Sequence, residues 1–234
     1  MNARTNSFDH DKQIKPTDRI AILGASRGLG WTTYRHLLEL QSDADYFLSS
    51  RKIEQRRNEI TGNTVLFVQD FSKPEIDPEF LKALEEFHPT RLIYAAGGGP
   101  YGAFQSKNWA DHMWALNTSF LYPAQLLHKI LGSLKLWPDL KQIVFIGSDI
   151  AENKPDPNAA SYAAAKHALK GLISTVQVES SNTSGLPEIL LFSPGYMQTD
   201  MLPVNSAPRL RGLAEAPLEV AKKLIAVIEK NNQR

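Results

Sequence analysis

Short runs of hydrophobic residues alternate along the chain with longer segments in which apolar residues recur every three or four positions. The short runs predict β-strands, and the longer segments predict amphipathic helices. Strands and helices that alternate in this way form a parallel sheet covered on both faces. We therefore predict an α/β fold with a doubly wound, mainly parallel sheet of about six strands. The predicted strands are residues 19–23, 46–50, 64–69, 91–96, 142–147 and 188–193.

The predicted helices differ in length and in the signals that bound them. The first begins in a glycine-rich segment and ends near residue 40, and a basic helical stretch follows the second strand as far as residue 60. The longest covers residues 108–134, where Pro123 is expected to introduce a kink because proline cannot donate the helical hydrogen bond. The others are predicted at residues 77–87, 158–181 and 217–230.

Composition places the chain among ordinary globular proteins. Its 234 residues are 42% hydrophobic and 22% charged, and its net charge of +1 argues against nucleic acid or a membrane surface as a partner. No apolar run is long enough to cross a membrane, no cysteine is present, and the histidines lack metal-ligand spacing, so no metal site is expected. We expect a cytoplasmic protein with a flexible tail at residues 1–18 and one domain at residues 19–234.

Three glycines separate the first predicted strand from the first predicted helix. Gly24, Gly28 and Gly30 permit a tight turn and a close approach of the backbone to a pyrophosphate, which the N-terminus of a helix favours. The alternative is a glycine-rich turn with no chemical role. The order of strand, loop and helix favours dinucleotide binding.

The end of the second predicted strand bears on the choice of cofactor. A site for NAD usually places an acidic residue there for the ribose hydroxyls, whereas this chain has Arg51. Arg51 can pair with a 2′-phosphate, and Arg27 in the glycine loop can add a second charge. We therefore expect NADP(H) in preference to NAD(H). A solvated surface is the alternative role for these basic residues, and it is the role expected for Arg56 and Arg57.

Tyr162 and Lys166 lie four residues apart in an alanine-rich segment, and Ser148 follows the fifth predicted strand. On a helix this spacing puts the tyrosine and the lysine on one face. An ammonium beside a phenol favours the phenolate, so Lys166 is expected to lower the tyrosine pKa towards the operating pH. Ser148 can then hold a substrate oxygen beside the tyrosine. The three residues predict a general acid/base site.

Taken together, the glycine loop, Ser148, Tyr162 and Lys166 resemble the motifs of the short-chain dehydrogenase/reductase family over about residues 19–230. The resemblance implies a Rossmann fold and NADPH-dependent interconversion of a carbonyl compound and an alcohol, with Tyr162 as the acid/base. It also implies that Asn117 holds a proton-relay water, which makes it the fourth catalytic residue. The implied cofactor contacts are Gly24, Ser26, Arg27, Gly28, Leu29, Gly30, Arg51, Asp70, Phe71, Ala96, Gly97, Tyr162, Lys166, Pro194, Gly195, Met197 and Thr199.

The chain departs from the family pattern in three places. Leu23 stands where the family has a threonine, and Ala95-Ala96-Gly97 keeps only the small residues of an Asn-Asn-Ala-Gly element. No seventh strand is predicted after residue 230, so the C-terminus is shortened and the usual tetramer is in doubt. A homodimer, paired through the helix at residues 108–134, is expected instead.

Other functions are compatible with parts of the pattern. A protein of this fold could bind NADPH as a regulator or sensor without turnover, although every catalytic residue is present. A serine hydrolase at Ser148 is disfavoured because the Gly-x-Ser-x-Gly motif is missing. Residues 201–212 could form a lid over a small-molecule substrate or an ordered loop. The candidate pocket residues, which suggest an apolar to mixed lining, are Gly98, Pro100, Tyr101, Asp149, Ile150, Asn153, Tyr196, Met197 and Met201.

Overall fold

The structure is a computed structural model that describes residues 18–41, 43–153, 157–181 and 183–231. The tail predicted at residues 1–18 lies outside this part of the chain, except for Asp18. Six parallel strands form one sheet in the order β3-β2-β1-β4-β5-β6, which confirms the predicted doubly wound fold. The strands are β1 (Arg19–Leu23), β2 (Asp45–Ser49), β3 (Thr64–Phe67), β4 (Arg91–Tyr94), β5 (Gln142–Ile146) and β6 (Glu188–Phe192).

Helices cover both faces of this sheet. A clear start signal is visible in the second, where the Asp77 carboxylate accepts a hydrogen bond from the Glu79 backbone N–H at 2.9 Å and Pro78 occupies the first turn. The α-helices are α1 (Gly28–Leu40), α2 (Pro78–Glu86), α3 (Trp109–Leu116), α4 (Tyr122–Gly132), α5 (Asp149–Asn153), α6 (Ala160–Ser181), α7 (Ala207–Leu210) and α8 (Pro217–Asn231).

The helix predicted at residues 108–134 is divided rather than simply kinked. A π-helical turn, Asn117–Leu121, separates α3 from α4, and the backbone N–H of Tyr122 donates to the carbonyl of Asn117. Pro123 follows at once and has no N–H to continue the ordinary ladder, so it lies in the first turn of α4. The sequence therefore predicted where the helix is interrupted, but it predicted a kink and not a π-helical turn.

Three other local predictions differ from the structure. The basic stretch after β2 is a 3₁₀-helix, Ile53–Glu59, and not an α-helix. The short helices α5 and α7 lie where no helix was predicted. Each has only one turn or slightly more, which is too short for a hydrophobic period to show in the sequence.

The two faces of the sheet bury different kinds of side chain. Along β1, Ala21 and Leu23 face one core while Ile20 and Ile22 face the other, as the two-residue period of a strand requires. The first core is rich in aromatic residues, and the second is mainly aliphatic and lies beneath α1 and α8. Both cores hold the sheet rigid, so the loops at its carboxyl edge start from fixed positions.

All six strands are parallel, so their carboxyl ends meet at one edge of the sheet. The strand order reverses between β1 and β4, and the loops that leave these two strands diverge to open a crevice. A ligand site is expected there. None of the helices in the described ranges combines the length and the apolar character needed to cross a membrane.

Candidate active site

One cleft at the carboxyl edge collects residues from the loops that follow all six strands. Two residues of the predicted site, Gly30 and Asn117, do not line it. The predicted residues that do are Gly24, Ser26, Arg27, Gly28, Leu29, Arg51, Asp70, Phe71, Ala96, Gly97, Ser148, Tyr162, Lys166, Pro194, Gly195, Met197 and Thr199.

The glycine loop is shaped by close backbone contacts. Gly24 has a φ of +96°, and a Cβ there would lie 2.3 Å from the backbone nitrogen of Ala96. A Cβ on Gly30 would lie 2.4 Å from the carbonyl oxygen of Gly24, which explains why Gly30 supports the loop from behind and does not face the cleft. At Gly28, the position of a Cβ lies 3.5 Å from the Thr199 methyl, so its absence leaves a groove between the two loops. This narrow cradle fits a pyrophosphate.

Basic side chains gather at the same end of the cleft. Arg51 lies with its Nε 3.8 Å from a carboxylate oxygen of Asp70, and half of its side chain is exposed. Burial alone would raise the pKa of Asp70, but hydrogen bonds from Ser72 and the charge of Arg51 outweigh it and lower that pKa. Arg27 and Lys52 line the cleft nearby and are exposed. The donor set suits a ligand with a phosphate beyond its pyrophosphate.

Arg56 is not the solvated residue that was predicted. Its Nε donates to the carbonyl of Ser26 at 2.9 Å, and its guanidinium carbon lies 4.7 Å from the centre of the Trp31 ring. The 3₁₀-helix after β2 carries it across to the glycine loop, which it ties to the first turn of α1. Arg57, by contrast, is exposed and pairs with Glu54, as expected of a surface residue.

Ser148, Tyr162 and Lys166 meet in the middle of the cleft. Tyr162 and Lys166 lie one turn apart on α6, with the lysine Nζ 5.5 Å from the centre of the tyrosine ring. Lys166 donates to the carbonyl of Ile146 at 2.6 Å, and Tyr162 shares a side-chain hydrogen bond with Ser148. Ser148 is placed by the end of β5 and by the start of α5, where its Oγ accepts from the Ala151 N–H at 3.3 Å. The predicted grouping is therefore present.

The protonation of this group differs from the expectation. Burial raises the pKa of Tyr162 to about 12, against a lowering effect of the hydrogen bond with Ser148 and a further rise from the charge of Glu152. Burial also lowers the pKa of Lys166 to about 8, with Glu152 acting in the opposite direction. Lys166 was expected to lower the tyrosine pKa, but desolvation of the phenolate is the larger effect here. At pH 7 the tyrosine therefore holds its proton.

Asn117 lies outside the cleft, in the π-helical turn. Its side-chain N–H donates to the carbonyl of Ser72 at 2.9 Å, which joins the turn to the loop after β3. The neighbouring Ser119 was not predicted as a site residue. Its hydroxyl donates to the carbonyl of Gly98 and accepts from the Gly98 N–H, both at 3.1 Å, and so holds the loop after β4. A serine inside a predicted long helix gave no signal of this role.

Glu152 is a second residue that the sequence did not reveal. Its side chain is 2% exposed, and its carboxylate accepts hydrogen bonds from the Ser148 backbone N–H and from the Ser193 hydroxyl. The spacing of four residues from Ser148 becomes informative only once α5 is known, because no helix was predicted in this segment.

The other end of the cleft is mainly apolar. Of the candidate pocket residues, Gly98, Asp149 and Asn153 do not line it. Trp114 was missed, and it lies so close to the loop after β4 that a Cβ on Gly98 would be 2.6 Å from its ring. The lining residues at this end are Gly99, Pro100, Tyr101, Trp114, Ile150, Ala151, Ala159, Tyr196, Met197, Met201 and Leu202.

The segment at residues 201–212 is fastened to the loop after β6. Met197 and Glu215 form an isolated parallel bridge, and the Gln198 N–H donates to the Glu215 carbonyl at 2.9 Å. The Arg209 guanidinium donates to the carbonyl of Thr199 at 2.6 Å. Arg209 is thus engaged with the backbone of the loop after β6.

The family described as short chain dehydrogenase matches residues 18–209. A protein of Escherichia coli (strain K12), named cyclic-di-GMP-binding biofilm dispersal mediator protein, is 26% identical over 195 residues. The alignment covers 81% of this chain and 77% of that protein.

Solved structures with the same fold include two dehydrogenases with bound nucleotides. An alcohol dehydrogenase from the archaeon Thermococcus sibiricus, complexed with 5-hydroxy-NADP, superposes with a TM-score of 0.70 at 20% identity, covering 91% of each chain. A 4-hydroxyisoleucine dehydrogenase complexed with NADH superposes with a TM-score of 0.76 at 19% identity, covering 90% of each chain. At these identities the likeness establishes the fold.

Proposed function

The chain belongs to the short chain dehydrogenase family, and from that premise we propose that it is an NADP(H)-dependent oxidoreductase that interconverts a carbonyl group and an alcohol. The observation that carries the proposal is the meeting of Ser148, Tyr162 and Lys166 in one cleft with a glycine-loop cradle. Each part could have another role by itself. Together they supply an acid, its hydrogen-bond partner and a cation beside a dinucleotide site.

NADP(H) suits the groups at the basic end of the cleft. The groove between Gly28 and Thr199 can take the pyrophosphate, and Arg51 and Arg27 are placed to meet a 2′-phosphate. Asp70 already partners Arg51 and fits the adenine side of such a site. The archaeal alcohol dehydrogenase of this fold is complexed with an NADP derivative, which supports the same choice.

The catalytic roles follow from hydrogen bonding and charge. NADPH supplies a hydride to the carbonyl carbon when it is bound. Ser148 donates a hydrogen bond that holds the carbonyl oxygen, and Tyr162 gives its proton to that oxygen. Lys166 then stabilises the phenolate that Tyr162 becomes, and the low dielectric of the buried site strengthens this attraction. Asn117 serves this group from outside the cleft by fixing the π-helical turn and by holding a relay water.

The substrate we propose is a neutral, largely apolar carbonyl compound. Trp114, Ile150 and Leu202 line the same cleft as Tyr162 and Ser148. None of these three side chains carries a charge that could bind a carboxylate or a phosphate. Aromatic and aliphatic walls favour an apolar substrate through the area that they remove from water. The charged residues of the described cleft lining are Arg27, Arg51, Lys52, Asp70, Lys166 and Asp200.

A second function deserves a test because of the Escherichia coli relative. Its name assigns it cyclic-di-GMP binding and a role in biofilm dispersal. The basic end of this cleft could take the phosphates of such a dinucleotide, so a regulator without turnover is the competing proposal. Calorimetric titration with cyclic-di-GMP alone tests whether the protein binds it. The same titration in competition with NADPH tests whether the two ligands share a site.

Replacement of Tyr162 by Phe tests the enzyme proposal directly. NADPH consumption should be measured over a panel of aldehydes and ketones for the wild type, for Tyr162→Phe, and for Tyr34→Phe, whose hydroxyl bonds to Thr61 away from the cleft. We expect at least about a thousandfold loss of kcat in Tyr162→Phe, with NADPH affinity retained, and no change in Tyr34→Phe. Wild-type protein that binds NADPH but reduces none of the panel would favour the regulator.

We also propose that the protein is a cytoplasmic homodimer built from residues 19–234 as one domain. In the helical region expected at the interface, Trp109 is 66% exposed and Leu121 is 39% exposed, and Phe104, just before that region, is 52% exposed. Such a patch favours contact with a second copy. Light scattering should give a dimer for the wild type and a monomer for Trp109→Glu, and a monomeric wild type would contradict the proposal.

A further inference from the structure

Glu152 is the single acidic residue whose whole side chain is buried within the described part of the chain. A buried carboxylate is costly unless hydrogen bonds and opposite charges compensate for the lost hydration. Here it lies on α5, directly behind the serine that the proposed chemistry uses. Its position is therefore unlike that of an ordinary surface acid, and the contacts around it show what it does.

The carboxylate joins two loops at the carboxyl edge of the sheet. One oxygen accepts the backbone N–H of Ser148 at 2.7 Å, and the Ser193 hydroxyl lies 2.9 Å and 3.0 Å from the two oxygens. Gly147 makes room for this arrangement, since a Cβ there would lie 2.3 Å from both Glu152 and Ser193. The turn that carries Ser148 is thereby attached to the end of β6.

A second set of groups surrounds the carboxylate on the side of α6. Lys170 reaches it from the surface, with its Nζ 3.7 Å from one carboxylate oxygen. Lys166 and Tyr162 lie one and two turns before Lys170 on α6, and the charge of Glu152 raises the pKa of each. On α3, His112 bonds to Ser161 beside the tyrosine, and Asp149 lies one turn before Glu152 on α5, where it accepts a hydrogen bond from Asn153.

We propose that Glu152 is a positioning residue of the active site, which fixes the Ser148 turn and holds Tyr162 and Lys166 in their protonated forms. The proposal rests on the proposed oxidoreductase function for the first role. The second role needs no turnover, because it concerns the charge state of two side chains. The carboxylate acts through Ser148, Tyr162 and Lys166 and touches no reacting atom.

The sign of the electrostatic effect follows from the charges. A carboxylate disfavours the negative phenolate and favours the positive ammonium, so it raises the pKa of both groups. Removing its charge should lower both. Reduction needs a protonated tyrosine and a charged lysine, so the basic limb of the pH profile should move to lower pH.

Two substitutions separate hydrogen bonding from charge. Glu152→Gln retains a carbonyl oxygen that can accept from the Ser148 N–H and removes the charge, whereas Glu152→Ala removes both. Glu188→Gln is the matched control, since this carboxylate lies at the opposite end of β6 and bonds to Gln142. It tests the loss of an acid on the same sheet without contact with the cleft.

Three measurements should be made on each full-length protein. They are the pH dependence of kcat on a carbonyl substrate from the panel, the NADPH Kd by fluorescence, and the titration of Lys166 by NMR with isotope-labelled lysine. The Lys166 signal is assigned by its loss in Lys166→Met. Its titration is independent of turnover, so it reports on Glu152 even if the oxidoreductase function fails.

For Glu152→Gln we expect the Lys166 midpoint to fall below that of the wild type, and the basic limb to move with it. For Glu152→Ala we expect a further loss of kcat of roughly tenfold, with the NADPH Kd within about twofold of the wild type. Glu188→Gln should match the wild type throughout. An unchanged Lys166 titration in Glu152→Gln would overturn the electrostatic role. Wild-type kcat in Glu152→Ala would overturn the positioning role, and if that variant does not fold, the glutamine variant still decides the first.

Discussion

The two ends of the cleft use charge in different ways. At the cofactor end, Arg51 is half exposed and sits 3.8 Å from Asp70, so water screens the pair. At the catalytic end, Lys166 is 3% exposed and its pKa falls to about 8. Exposed charges can select a ligand without altering their own chemistry. The pKa of a buried group depends on its surroundings, as the lowered pKa of Lys166 shows.

Removal of the buried lysine should have the largest effect. We expect Lys166→Met to lower kcat roughly a thousandfold, because the phenolate left on Tyr162 loses its nearest cation. The same change should stabilise the fold at pH 7. A lysine whose pKa is about 8 in the folded protein, against 10.5 in an unfolded chain, is costly to keep charged, by about 3 kcal/mol.

The stability difference has a defined pH window. Because the folded-state pKa is the lower one, the unfolded chain binds more protons between about 8 and 10.5, and wild-type stability gains from this group as pH rises. The advantage of Lys166→Met in chemical denaturation should therefore be greatest below about pH 8 and shrink towards pH 10.5. A variant less stable than the wild type at pH 7 would show that the bond to the Ile146 carbonyl outweighs desolvation.

A substitution at Ser148 tests the same end of the cleft by removing a neutral hydrogen-bonding group. We expect Ser148→Ala to lower kcat about a hundredfold, as removal of one hydrogen-bond donor to a developing charge does in other enzymes. The hydrogen bond lowers the pKa of Tyr162, so the variant should also hold the tyrosine proton to higher pH. Steady-state kinetics would show the loss of kcat. A loss confined to KM would assign Ser148 to binding alone.

The sheet and most of the cleft followed from the sequence because they depend on patterns of neighbouring residues. Each strand lies within two residues of its predicted bounds. The glycine loop, Arg51, Tyr162 and Lys166 could each be located from residues close to them in the sequence. Glu152 was not found, because its function depends on a one-turn helix and on Ser193, which is 41 residues away.

Desolvation was the other quantity that the sequence could not supply. Four residues of spacing correctly put Lys166 beside Tyr162, but they do not say how much water either group retains. In the structure Lys166 is buried and Tyr162 is half-buried beside it, and desolvation raises the pKa of the tyrosine and lowers that of the lysine. Arg56 shows the same limit at the cofactor end, since its contact with Ser26 crosses 30 residues of chain.

The exposed end of the cleft should respond with a smaller effect, confined to cofactor binding. Arg51→Asp removes a charge-assisted contact worth about 2 kcal/mol, so we expect roughly thirtyfold weaker NADPH binding and a smaller change for NADH. Arg57→Asp is the control, because it makes the same change of charge at an exposed arginine that pairs with Glu54 outside the cleft. Equal losses for the two cofactors, or equal losses in both variants, would contradict a 2′-phosphate contact at Arg51.

The smallest expected effect is that of a substitution at Arg56, whose side chain is neither fully exposed nor fully buried. Arg56 is half-buried, stacks on Trp31 and bonds to the glycine loop, so it should act on cofactor binding through loop geometry alone. We expect Arg56→Met to weaken NADPH and NADH binding equally, each by about 1 kcal/mol, since the methionine keeps a stem for the ring and loses the charge. Fluorescence titrations with both cofactors at two salt concentrations would separate the two arginines. A selective, salt-sensitive loss of NADPH binding would mean that Arg56 itself contacts the 2′-phosphate. A half-buried arginine would then also take part in the choice of cofactor.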